Sequence, residues 1–137
     1  MVTDPASQGV FKFDSGGPAY FSPYGQWALT LDRAGTVTLT HNRAGQITDY
    51  GAVALPAATA GPLWELIQAA DVPHLESSTR QPVPDEGAFT FTLHDAGPTY
   101  TIQIWRNDAL KNPRIADLIA GLGRAIEQAT GQTPVLR

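Results

Sequence analysis

A two-residue alternation of apolar side chains and threonines constrains the fold of this chain more than any other feature. Along several segments, apolar residues occupy every second position and threonine fills many of the positions between them. A sheet covered on both faces would instead show continuous apolar runs. We therefore predict a sheet with one buried face and one face open to water or to a partner. The threonines on the open face are Thr30, Thr36, Thr38, Thr40, Thr90, Thr92, Thr99 and Thr101.

The turns between these alternating runs share the pattern x-x-Ala-Gly, which occurs at residues 32–35, 42–45 and 94–97. A type I turn fits the middle residues, and glycine takes the following left-handed position at no steric cost. Asp32 and Asn42 at the first position can bond to the turn backbone. Each of these segments is predicted to close a hairpin.

Two segments have the apolar spacing of a helix. In the first, Leu63, Leu66, Ile67 and Ala70 share a face, and we place Pro62 at the first helical position, with Gly61 or Thr59 as the N-cap. The second follows Asn112-Pro113 and ends at Thr130-Gly131. Its apolar stripe consists of Ile115, Leu118, Ile119, Leu122, Ala125 and Ile126.

The predicted fold is a single α+β domain over residues 1–137. It has one antiparallel β-sheet of about five to six strands with two α-helices packed on one face. Residues 1–9 are predicted to be a loose lead-in, and residues 131–137 a tail. Residues 76–87 are rich in Ser, Pro, Asp and Gln and are predicted to be an exposed loop, with Asp85 and Glu86 solvated.

Composition argues against several classes of protein. The formal net charge is −4 and the nine Lys and Arg residues are scattered, which argues against nucleic-acid binding. There is no cysteine, so disulfides, thiolate nucleophiles and Cys-ligated zinc are excluded. No apolar run approaches the roughly 20 residues of a membrane helix. The first residues carry no signal-peptide pattern, so the expected location is the cytoplasm.

Catalytic motifs are absent from the sequence. It contains no G-x-S-x-G, P-loop or G-x-G-x-x-G pattern, and its histidines lack the spacing of a zinc protease. We therefore predict no catalytic residues, no cofactor and no metal. One alternative stays open, a metal-dependent enzyme or small-ligand binder that uses His41 and His94 with carboxylates such as Asp49 or Asp95.

Aromatic side chains are the better candidates for function. Tyr20, Phe21 and Tyr24 lie in a loop rich in Gly and Pro. Loop aromatics can anchor an interface, although they can also fold back to cap the edge of a sheet. Trp105 falls on the threonine face by parity, where it is either exposed or tucked beneath the second helix. The predicted binding residues are therefore Tyr20, Phe21, Tyr24 and Trp105.

The order of elements resembles the emfourin-type inhibitors, small bacterial proteins that block thermolysin-like metalloproteases. The similar segments are Ser15-Gly16-Gly17-Pro18-Ala19, the helix Leu63–Ala70, Pro84-Asp85 before the strand Phe89–Leu93, Asp108-Ala109-Leu110, and Leu118-Ile119-Ala120-Gly121-Leu122. The hairpin from Trp27 to His41 is additional sheet that this pattern does not require. The resemblance implies a protease-facing loop around residues 16–24.

The sequence alone does not determine a function, but it favours a non-enzymatic module that binds another protein. Its sharpest form is a protease inhibitor. Besides the metal-dependent alternative, a structural subunit of a larger assembly remains open, one form of which is a homodimer made by strand addition at an open sheet edge.

Overall fold

The computed structural model describes residues 10–16, 25–83, 86–94 and 97–136. The predicted fold class is confirmed, since these residues form one six-stranded antiparallel sheet with helices. The strands are β1 (Val10–Ser15), β2 (Gln26–Asp32), β3 (Thr36–Arg43), β4 (Gln46–Ala54), β5 (Ala88–His94) and β6 (Thr99–Trp105). The helices are α1 (Ala57–Ala70), α2 (Arg106–Lys111) and α3 (Pro113–Thr130), and a 3₁₀ turn spans Val72–His74.

The first strand of the described residues lies in the interior of the sheet. The strand order is β4-β3-β2-β1-β5-β6, and every neighbouring pair is antiparallel. β2, β3 and β4 form a meander on one side of β1, and the β5–β6 hairpin lies on its other side. Phe13 is paired with Leu29 on β2 and with Phe91 on β5, so the two halves of the sheet share one apolar layer.

The predicted alternation is present in the structure. Phe11, Phe13, Leu31 and Leu39 are fully or almost fully buried on one face of the sheet. The intervening residues on the other face, here called the open face, are exposed or half-buried. The buried face joins the apolar residues of α1 and α3 in a single core cluster, so both long helices lie on the same side.

Trp64 ties α1 to the β2–β3 turn. Its indole is 7% exposed, and its Nε1–H donates to the Asp32 carbonyl at 3.1 Å. The Arg33 guanidinium lies 4.0 Å from the centre of the Trp64 ring, a cation–π contact. The polar edge of the indole is therefore satisfied where the helix meets the sheet.

The first helix begins earlier than the sequence predicted. α1 starts at Ala57 after Pro56, so Pro62 lies inside the helix and neither Gly61 nor Thr59 is its N-cap. The cap of α3 is confirmed, because Asn112 Oδ1 accepts from the backbone N–H groups of Arg114 and Ile115 at 3.0 and 3.4 Å. The short helix α2 was not predicted.

One hairpin turn differs from the prediction. At residues 32–35 the predicted geometry holds, with Gly35 at φ +89° and Asp32 Oδ1 accepting from the Thr36 N–H at 2.9 Å. At 42–45 the loop has two residues, and both Ala44 (φ 53°) and Gly45 (φ 85°) are left-handed. This is the primed turn, because two-residue loops need positive φ at both positions to match strand twist. Asp95 and Ala96 of the third turn lie outside the described residues.

The 76–87 loop is largely exposed, yet it is bound to the sheet. We call residues 77–80 the β6 strap. The Ser78 N–H donates to the Gln103 carbonyl at 2.9 Å, and Ser77 Oγ accepts from the Gln103 N–H at 3.1 Å. The strap therefore occupies part of the outer edge of β6. None of the described helices is long and apolar enough to cross a membrane.

Candidate functional site

The two edges of the sheet differ in how they are covered. The outer edge of β6 carries the strap, which is held by an ion-pair network of Arg80, Glu86 and Asp108. Along the outer edge of β4, by contrast, no segment within the described ranges pairs with the strand. Open strand edges offer unpaired backbone groups to another chain. The β4 side is therefore the side at which a partner strand can be added.

A bulge in the β3–β4 pair turns an apolar side chain outward. The register shifts between Leu39, paired with Gly51, and Thr40, paired with Asp49, so that Tyr50 is the extra residue. Because side chains alternate, one extra residue moves those beyond it to the other face. Ile47 consequently lies on the open face, where it is 67% exposed, the highest value among the described large hydrophobic residues.

A cleft of about 250 Å³ opens beside Ile47 on the open face. Ala28 forms the floor of the cleft. It belongs to a row of paired residues that crosses the sheet, in which Asp14 is paired with Ala28, Ala28 with Thr40, and Thr40 with Asp49. Ala28 has only a methyl group, so it leaves space between the longer side chains on its two sides. Neighbouring strands are about 4.8 Å apart, which puts Asp14 and Thr40 roughly 10 Å apart.

The other walls of the cleft are mixed, since Ile47 and Trp27 line it together with polar residues. Gln26 and Asn42 form the end nearest the β1–β2 connection, and Gly16 also lines the cleft. Asn42 Oδ1 accepts from the Gly45 N–H at 3.1 Å, which fixes the amide at the turn. The cleft thus combines a carboxylate, a hydroxyl and two amides with one exposed aliphatic side chain.

Asp14 is the charged group of the cleft. Partial burial raises the pKa of the Asp14 carboxyl, and the positive charge of Lys12 on the same strand counteracts part of this effect. Among the described residues, none donates a hydrogen bond to the Asp14 side chain. Asp14 is an exposed residue, so its carboxylate loses only part of its hydration. A pKa shifted in this way is more frequent at binding sites than elsewhere.

The base of the β1–β2 connection is rigid. Ser15 is 1% exposed and its Oγ accepts from the Trp27 N–H at 3.1 Å. The Gly16 N–H donates to the Ala88 carbonyl at 2.9 Å. Gly25 has φ +71° and no space for a side chain, since a Cβ there would lie 2.6 Å from the Asn42 carbonyl oxygen. Both ends of the connection are therefore fixed next to the cleft.

The predicted aromatic residues fall in different parts of the chain. Tyr20, Phe21 and Tyr24 lie outside the described residues, between the two fixed ends at Gly16 and Gly25. Trp105 is half-buried at the end of β6, and its Nε1–H donates to the Arg80 carbonyl at 3.0 Å. Trp105 therefore belongs with the β6 strap, which lies at the other edge of the sheet from β4.

The two candidate metal ligands do not come together. His41 and His94 are on β3 and β5, which are three strands apart in the sheet, or about 14 Å. His41 lies on the buried face, stacked on Trp27 with ring centres 4.2 Å apart, whereas His94 lies on the open face and contacts Thr99 Oγ1 at 2.8 Å. In the described part of the chain, no three His, Asp or Glu side chains are grouped to hold a metal.

Sequence reasoning missed Asp14, Ala28 and Ile47. Ala28 had a detectable signal, because it is the small residue in a strand whose next open-face position is Thr30. Ile47 had no such signal. It is six residues from Val53, so strict alternation would put both side chains on the same face, whereas the bulge at Tyr50 puts them on opposite faces.

Together these features define a class of structure, an α+β domain with helices on one face of its sheet and, on the other face, a cleft close to β4, whose outer side is paired with no described segment. No protein-family model matches the chain, and no curated protein matches it significantly.

Proposed function

We propose that this protein is a non-enzymatic protein-binding module that docks its partner on the open face, at the end defined by the cleft and β4. The observation that carries the proposal is Ile47, a two-thirds-exposed aliphatic side chain that borders the cleft on β4, an edge strand whose outer side is paired with no described segment. An apolar contact surrounded by polar groups is the usual composition of a docking surface. The adjoining edge of β4 offers backbone groups for strand addition.

The β1–β2 connection supports the same location. Its two fixed ends lie next to the cleft, and the segment between them contributes Tyr20, Phe21 and Tyr24. Aromatic side chains bury a large area for little loss of conformational entropy, so they are frequent anchors of interfaces. A partner that contacts Ile47 would also lie near Gly16, one of the two fixed ends.

Capture from the cells that produce the protein tests the proposal. Ile47→Ser and the triple variant Tyr20→Ala, Phe21→Ala, Tyr24→Ala should each lose a protein that the wild type retains. Leu110→Ser is the matched control, because Leu110 is also an exposed aliphatic residue, at 44%, but lies in α2. Quantitative mass spectrometry of the captured proteins, with circular dichroism to confirm folding, is the measurement. Equal retention by Ile47→Ser and Leu110→Ser would contradict the proposal.

A protease inhibitor is the most specific form of this function. It is supported by the sequence resemblance to emfourin-type inhibitors around Ser15-Gly16-Gly17-Pro18-Ala19. Titration of the protein into a thermolysin-like metalloprotease that cleaves a fluorogenic peptide tests it. We expect the wild type to inhibit and the triple aromatic variant to be inactive. Full peptidase activity in the presence of excess wild-type protein would contradict the inhibitor hypothesis but not the proposed protein-binding function.

A second copy of this chain is the other candidate partner, because the open edge of β4 could pair with itself. Sedimentation equilibrium distinguishes the two cases. A dimer that dissociates in Ile47→Ser would make the chain its own partner, while a monomer at high concentration would leave a different protein as the partner.

A further inference from the structure

We propose that the cleft binds the cationic head of a lysine or arginine side chain supplied by the partner, with the Asp14 carboxylate as its counter-ion. This inference rests on the proposed protein-binding function and specifies the chemistry of the partner at the same site. It concerns the space between Asp14 and Thr40 above Ala28.

The shape of the cleft suits a long side chain with a polar end. The missing bulk at Ala28 gives a head group access to Asp14 on one side and to the Thr40 hydroxyl on the other. An ammonium has three N–H donors and a guanidinium five, and neither has an acceptor. Both therefore complement a cleft whose charged group accepts hydrogen bonds and lacks a donor among the described residues.

The charge around the cleft favours a cation. Asp49 lies on the open face, paired with Thr40 in the same cross-sheet row as Asp14. The residues paired with Asp14 on the two adjoining strands are Ala28 and Thr90, both neutral. Lys12, one open-face position away on β1, is the opposing positive charge. Two carboxylates against one ammonium leave this end of the face negative, in a chain of net charge −4.

Asp14 should contribute the largest part of the binding free energy of a cation. Burial disfavours its charged form, as the raised pKa of the Asp14 carboxyl indicates. A bound cation replaces lost hydration by charge-assisted hydrogen bonds, which are about twice as strong as neutral ones. Entry of a cation should therefore lower the pKa of Asp14 towards its ordinary value or below it. Lys12 and Asp49 are the other charged groups at this end of the face.

Small probes test the inference without knowledge of the partner. N-acetyl-arginine amide and N-acetyl-lysine amide carry the cation, and N-acetyl-citrulline amide is the neutral analogue of the first. In ¹H–¹⁵N NMR titrations at millimolar concentrations, we expect the cationic probes to shift Gln26, Ala28 and Thr40, and to lower the Asp14 pKa measured by ¹³C NMR. Equal shifts from citrulline, or no localised shift, would overturn the inference.

Three variants separate the charge from the shape. Asp14→Asn removes the counter-ion, and Ala28→Leu fills the floor but keeps the carboxylate; each should lower the affinity of the cationic probes at least severalfold. Thr38→Leu adds bulk to the same face outside the cleft and should bind like the wild type. Unchanged binding by Asp14→Asn would overturn the inference.

The outcomes also separate this inference from the proposed function. If Ile47→Ser loses the captured partner and the protein does not respond to cationic probes, the cation-binding inference is wrong and the protein-binding function is supported. Selective probe binding together with equal capture by Ile47→Ser and Leu110→Ser would remove the proposed docking surface instead.

Discussion

Glu86 and Arg80 form a two-point ion pair that holds the β6 strap against the start of α2. The pairs Nη1–Oε1 and Nη2–Oε2 are 2.9 and 2.7 Å apart, and the Glu86 side chain is 1% exposed. The Glu86 carboxylate also accepts from the backbone N–H groups of Val83 and Asn107 at 3.0 and 3.1 Å. The solvated carboxylate predicted from the sequence is therefore an enclosed one, whereas Asp85 lies outside the described residues.

Glu86→Gln should destabilise the fold, because it removes the charge while keeping the shape. We expect the Tm at neutral pH to fall by several degrees. Arg80 holds the pKa of the Glu86 carboxyl at about 2, below its ordinary 4.5. The stabilisation is therefore complete above pH 4.5 and is lost as the pH falls through about 2. Thermal unfolding across this range should show the wild type and Glu86→Gln converging at low pH.

Glu76→Gln is the control for this change, since Glu76 is an exposed carboxylate in the same loop. It should leave the Tm nearly unchanged at every pH. A constant difference between wild type and Glu86→Gln down to the lowest pH would show that the ion pair is not the source of the stabilisation.

Phe13→Ala should be among the most destabilising changes in the sheet. Phe13 is fully buried, with its ring centre 5.9 Å from that of Phe89 and 5.5 Å from that of Phe91. Truncation of a buried phenylalanine costs about 3–5 kcal/mol. Lys12→Ala, one residue away on the open face, should change the free energy of unfolding by less than about 0.5 kcal/mol. Urea denaturation of the two variants tests whether only one face of the sheet is buried. A similar loss of unfolding free energy in both variants would contradict it.

Gly25→Ala should cost more stability than Gly45→Ala. Both glycines have positive φ, so a side chain is strained at either position by about 1–2 kcal/mol. A Cβ at Gly45 would meet nothing within 4 Å, whereas a Cβ at Gly25 would lie 2.6 Å from both the Asn42 carbonyl oxygen and His41 Nε2. Urea denaturation should resolve the difference. Equal costs would show that the chain at Gly25 is free to move away from β3.

Asp14→Asn should slightly stabilise the protein at neutral pH. Because burial raises the pKa of the Asp14 carboxyl in the folded state, its ionised form is a cost to folding. Stability from this group is present below its unfolded pKa and is lost as the pH rises through the folded pKa. The gain at neutral pH should be below about 1 kcal/mol, because the side chain remains open to solvent. Chemical denaturation that showed Asp14→Asn to be less stable would mean that the carboxylate has a stabilising partner.

Much of the fold follows from local rules in the sequence. The alternation of Phe89 and Phe91 with Thr90 and Thr92 was sufficient to assign faces, because side chains in a strand have a period of two. The cap at Asn112 was equally direct. The start of α1 was not, since Pro62 is typical of a first turn and only the tertiary structure shows that it lies within the helix.

The candidate site could not be predicted because it depends on strand order and on a bulge. Asp14 and Thr40 are 26 positions apart in the sequence, and they share the cleft because β2 lies between β1 and β3. The inserted residue Tyr50 determines which face Ile47 occupies. Apart from the glycine at position 51, no local sequence pattern indicated the bulge. Non-local pairing of this kind is the information that a single sequence does not contain.

Site-specific photocrosslinking tests the central claim, that the cleft end of the open face binds a protein, most directly. A benzophenone amino acid would replace Ile47 in one variant and Leu110 in another, and each would be irradiated in the cells that produce the protein. We expect one discrete adduct from position 47 and none from position 110. No adduct from position 47, or the same adducts from both positions, would contradict the claim.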